Sequence, residues 1–140
     1  MPLISDKKSF TLVEVLVVII IVGILAALSW PMFTGTKERT VDKEAKANLK
    51  LLQAAEEIYR MEKGTYYPAG TTTSVIRDIN SYLKLGLPIS QPNWTYGLDT
   101  TSAGSEKAMA TRVGAGGRIW TIFFPAASSD NPTCSGTGCP

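Results

Sequence analysis

A chain of 140 residues has room for one domain and an appendage, and its 14 basic residues are nearly matched by 12 acidic ones. That balance offers a polyanion such as nucleic acid no general hold. Histidine is absent, which removes the usual general base, the commonest zinc ligand and every His-containing triad. No cluster of Lys, Asp and Glu takes their place, so neither an enzyme nor a cofactor or metal site is expected.

The chain opens on MPLISDKKS, with Lys7 and Lys8 just ahead of a long apolar run, FTLVEVLVVIIIVGILAALSWPMF, residues 10–33. From Val15 to Leu28 every residue is apolar or glycine. At 1.5 Å per residue, about 20 residues cross roughly 30 Å of hydrocarbon. The run is apolar on all sides, which suits lipid or burial among other helices. Basic residues stay on the cytoplasmic side, so residues after about 34 are expected outside. A secretory signal peptide cut after Ala27 fits the same pattern and remains an alternative. Glu14 is the anomaly in this run. A charge at the bilayer centre costs roughly 2.5–3.5 kcal/mol, so Glu14 either sits near the headgroups or meets a positive partner. In a first helical turn an acid also suits the helix dipole.

Ser9-Phe10-Thr11-Leu12-Val13-Glu14, followed by this run, resembles the start of a type IV pilin or pseudopilin. The resemblance is specific over the first third of the chain and looser beyond it. It implies a leader, residues 1–9, that a prepilin peptidase removes by cutting between Ser9 and Phe10. Serine stands there where the family usually has glycine, and it too is small. The resemblance further implies N-methylation of the Phe10 amine and a role for Glu14 in assembly. An ammonium at Phe10 is cationic near neutral pH. Inside an apolar filament core it can meet the Glu14 carboxylate of a neighbouring subunit, a matched pair where an unpaired charge is costly. Pairing within one chain, at a spacing of four residues, is the local alternative.

Gly23 and Pro31 are expected to kink or loosen this helix, residues 10–33 forming the membrane or filament-core segment. Beyond it Val41, Ala45, Leu49, Leu52, Ala55 and Tyr59 recur at helical spacing, with Leu51 and Ile58 widening the stripe. Lys43, Glu44, Lys46, Lys50, Glu57 and Arg60 read as a solvated face, and Gly64 as the helix stop. Tyr66, Tyr67 and Pro68, which resemble the helix exit of the same family, anchor the chain as it turns back.

Residues 34–140 comprise this helical half and a small head. A short helix is expected near Ser74 to Leu85, and strands at Trp94–Leu98, Ala108–Val113 and Arg118–Phe124. Gly114-Ala115-Gly116-Gly117 lacks a P-loop lysine and a following helix, so it reads as a hairpin link. Asn93-Trp94-Thr95 matches a glycosylation sequon. Cys134 and Cys139 pair as a disulfide if the chain is exported, closing a small loop worth roughly 2 kcal/mol at most.

The expected fold is α+β: a long N-terminal helix packed on three or four antiparallel strands, the pilin-like lollipop. The expected function is a major pilin, held in the inner membrane before assembly and then polymerised into an extracellular pilus. Its partners are copies of itself, the prepilin peptidase, the assembly machinery and the membrane, with no specific nucleic acid. The alternatives are a major pseudopilin of a type II secretion system and a membrane-anchored binding domain that never polymerises. Such pseudopilins bind calcium through an acidic C-terminal loop, and that region here offers only Asp130 and Asn131.

Overall fold

The computed structural model describes residues 10–90, 92–114, 116–124 and 132–139, leaving aside the side chains of residues 30–35. The leader with Ser9, and also Ala115, Asp130 and Asn131, lie outside the described residues.

Helix α1 spans Leu12–Lys63. Thr11 caps it, its Oγ1 accepting the Glu14 N–H at 3.2 Å, and Glu14 three positions on completes the sequence pattern of a capping box. The other end stops at Gly64, whose φ of 81° suits glycine and whose N–H donates to the Arg60 carbonyl at 2.7 Å. Arg60 and Lys63 in the last turn complement the helix dipole. Gly23 and Pro31 both lie inside α1. Two compact units divide the chain between Arg39 and Thr40, within this helix.

In the first unit, every described residue from Phe10 to Ser29 is exposed. Ser29, the polar residue at the end of the stretch, donates its hydroxyl to the Leu25 carbonyl at 2.8 Å, so even this group is satisfied one turn back.

The second unit is α+β. After α1 come β1 (Thr72–Thr73), α2 (Ile76–Leu83), β2 (Trp94–Asp99), β3 (Lys107–Arg112), β4 (Ile119–Phe123) and β5 (Thr133–Ser135). The strands form one antiparallel sheet in the order β1-β2-β3-β4-β5. Strand residues alternate between buried and half-exposed, as a sheet covered on one face should. Trp94, Tyr96, Leu98, Trp120, Ile122 and Phe124 join Leu49 and Leu52 of α1 and Ile79 of α2 in one core.

Three expectations need correction. The sheet has five strands, because the short segments at Thr72–Thr73 and Thr133–Ser135 add an edge on each side. Two- and three-residue strands carry too little alternation to be read from sequence. Helix α2 is shorter than Ser74–Leu85: Lys84 leaves the helix with a φ of 54°. Finally, Leu51 and Ile58 do not widen the buried stripe but stand exposed.

Candidate functional site

The expected assembly residues come from the start of α1. Phe10, just ahead of the helix, is 75% exposed. Glu14 is exposed beside it, and among the described residues its carboxylate makes no ion pair. Thr11 holds the Glu14 main chain, leaving the carboxylate itself available. From Leu12 to Ser29 the helix is long and apolar enough to cross a membrane, and none of this stretch is buried.

A second surface lies on the other half of the helix. Ala47, Leu51, Ala54, Ile58 and Met61 are all exposed, and their spacing of four, three, four and three residues puts them on one face. The buried residues Ala45, Leu49, Leu52 and Ala55 occupy the other side, against the sheet. This part of α1 is therefore apolar on two faces, and only one has a partner among the described residues.

That covered face also carries two acids, Asp42 and Glu56. Asp42 accepts from the Arg118 guanidinium at 2.7 Å and from the Trp120 indole at 3.3 Å. Glu56 accepts the Tyr67 N–H at 2.9 Å through one oxygen, while its other oxygen finds no hydrogen-bond partner. Burial raises the Glu56 pKa to about 7 against the Tyr67 hydrogen bond, with a smaller push from Glu57. Sequence reasoning missed both residues. Counting 42, 45, 49, 52, 56, 59 gives the spacing of the buried stripe itself, so a signal was present.

Most of the expected solvated face is exposed, but Lys46 is half-buried and lies 4.0 Å over the Trp120 ring. Tyr66 packs on Phe124, and Tyr67 stacks on Tyr82 and meets Tyr59 edge-on, so the aromatic pair does anchor the helix exit. Asn93 of the sequon donates its amide to Glu44 at 3.3 Å. Cys134 and Cys139 form a disulfide with a Cα–Cα distance of 5.8 Å. It closes a loop whose Gly136 lies so near Gly117 that a Cβ there would overlap that carbonyl oxygen.

Three comparisons bear on this arrangement. The profile of the prokaryotic N-terminal methylation motif matches residues 4–30. The type IV major pilin protein of Myxococcus xanthus is 42% identical over 60 residues, 43% of this chain and 27% of that protein. A type II secretion system core protein G of Aeromonas hydrophila is 38% identical over 60 residues, 43% of this chain and 42% of that protein. The match thus spans well under half the length of these two relatives. The type IV wide pilus major component of Thermus thermophilus is 30% identical over 120 residues, 86% of this chain and 83% of that protein. No solved structure matches.

Proposed function

Because this chain belongs to the type IV pilin and pseudopilin family, we propose that it is the major subunit of an extracellular type IV pilus. One observation carries the reading: an 18-residue apolar helix, Leu12–Ser29, wholly unburied and interrupted by a single acid. Such a surface is stable in lipid or among copies of itself and nowhere in water. The subunit waits in the inner membrane, the prepilin peptidase cuts between Ser9 and Phe10, and the Phe10 amine is methylated. The assembly machinery then draws the helix from lipid into the filament core.

In the core the Glu14 carboxylate of one subunit faces the Phe10 ammonium of its neighbour, and the pair selects one axial register. Gly23 and Pro31 give the helix points at which to bend as it is extracted. The second exposed stripe, from Ala47 to Met61, supports the same reading, since it too has no apolar cover within the described chain.

Mass spectrometry of the mature protein tests the processing step and should find methylated Phe10 as the first residue. A first residue at Leu28 would mean ordinary signal-peptide removal. Electron microscopy of sheared surface material tests assembly. Glu14→Ala should still insert and be cut, yet yield few filaments, with Glu14→Gln intermediate. Normal filament numbers from Glu14→Ala would remove the acid from the assembly mechanism.

A further inference from the structure

The uncovered face of α1 in the second unit carries charge as well as apolar groups. At about 100° per residue, Lys43 and Lys50 share one arc, roughly 100° wide, with the exposed stripe from Ala47 to Met61. Both lysines are exposed, and neither makes an ion pair among the described residues. Between Thr40 and Met61 the sequence puts no acid in this arc. Glu44, Glu57 and Glu62 stand just outside it, and Glu44 accepts the Asn93 amide at 3.3 Å. The basic half of the face is thus the half nearer Thr40, where Ala47, Leu51 and Ala54 are its apolar members.

Such a face suits a surface that is apolar within and anionic at its boundary. The same face of a second copy would set lysines against lysines. A phospholipid surface suits both kinds of group, because lysine stems lie along the apolar boundary while their ammonium groups reach phosphates. Fourteen residues lead from Ser29, the end of the apolar span, to Lys43, on the order of 21 Å as helix. Among them Lys37, Glu38 and Arg39 add one net positive charge. Pro31 and Gly35 weaken helical bonding in the same stretch, so the face can turn toward a bilayer that holds the span.

We propose that, before assembly, residues 43–54 of this face lie on the outer surface of the membrane that holds the span. Ala47, Leu51 and Ala54 meet the acyl boundary, and Lys43 and Lys50 take the phosphates of anionic lipid headgroups. Each cation near such a surface favours it roughly fivefold. The span tethers the second unit there, so a contact too small to hold a diffusing protein is enough. Glu57 and Glu62 flank the far end of the stripe and confine the contact to the Lys43 end. The waiting subunit thereby keeps part of its second apolar surface out of water, and yields it to neighbouring copies on assembly. This inference rests on the reading above of a subunit held in the membrane before assembly.

Spin-label accessibility tests it on the full chain, reconstituted into vesicles and labelled through Leu51→Cys without reductant. In vesicles of phosphatidylglycerol and phosphatidylcholine, a water-soluble nickel chelate should reach the label at least fivefold less than in phosphatidylcholine alone. Salt at about 1 M, where the Debye length falls to about 3 Å, should abolish the difference. Lys43→Gln/Lys50→Gln, changed at exposed positions, should abolish it too, and Lys43→Arg/Lys50→Arg should keep it. Equal accessibility in the two kinds of vesicle, or a difference that survives the glutamine changes, overturns this contact and leaves the filament reading standing. A wild-type chain that inserts and docks but forms no filaments overturns the filament reading alone. A chain that does not insert overturns both.

Discussion

Asp42 and Arg118, 76 positions apart, meet at 2.7 Å with side chains only 12% and 13% exposed. The pair ties the second half of α1 to the start of β4, and the Trp120 indole shares the same carboxylate oxygen. A sheltered ion pair adds little beyond what apolar packing would give, but losing one partner strands the other charge.

Asp42→Ala should therefore cost about 3 kcal/mol of unfolding free energy. The double variant Asp42→Ala/Arg118→Ala should cost clearly less than the sum of the two single changes. Denaturant unfolding followed by tryptophan fluorescence measures both; strict additivity would show that the two side chains act independently.

Glu56 makes head stability depend on pH, with a sign opposite to most carboxylates. Its folded-state pKa, about 7 against an ordinary 4.5, means that the folded chain holds this proton more tightly than the unfolded one. Its contribution is complete below pH 4.5 and is lost as the pH rises to 7, for a total of about 3 kcal/mol. Glu56→Gln keeps an acceptor for the Tyr67 N–H and cannot ionise. Urea unfolding at pH 5 and pH 8 should differ by about 2.5 kcal/mol in the wild type and hardly at all in the variant.

Gly136→Ala places a methyl group against the Gly117 carbonyl at a φ of 95°, where side chains are strained. The loop between the cysteines should lift off the β3–β4 link at a cost of about 2 kcal/mol or more. In the wild type both thiols should be alkylated only after reduction. In the variant, reduction and alkylation should proceed measurably faster.

Ile58→Glu tests the exposed stripe. The residue is 54% exposed, so head stability should change by no more than about 0.5 kcal/mol. Filament yield should fall severalfold, because the charge enters an apolar contact between copies. Equal filament yield would show this face to be solvated.

Lys84 closes α2 in the left-handed region, with a φ of 54°. Lys84→Gly should raise the unfolding free energy by about 0.5–1 kcal/mol, a gain readable as a shift in denaturant midpoint.

The strongest periodicities in the sequence account for what was legible. The all-round apolar run gave the first half of α1, and Gly64 gave its end, because neither depends on distant contacts. Strands β2, β3 and β4 are each five or six residues long, enough for alternation to show. The two edge strands exist because β2 and β4 recruit them, a tertiary effect with no local signature. Leu51 and Ile58 were placed on the wrong face because hydrophobicity was taken to mean burial. Asp42 and Glu56 went unnoticed for the converse reason, although their positions share the phase of Leu49 and Leu52. Burial of a charge is decided by partners such as Arg118 and the Tyr67 N–H, and those lie far along the chain.

Helix α1 belongs to both compact units without an intervening loop, and this has a mechanical side. Within the second unit, tension applied at Thr40 enters along the backbone of the helix. Near the start of that unit the Trp94 indole donates to the Val41 carbonyl at 2.9 Å, and Arg118 pairs with Asp42. Both fasten sheet strands to the same turn of helix, so tension along the helix is shared between β2 and β4 from the outset.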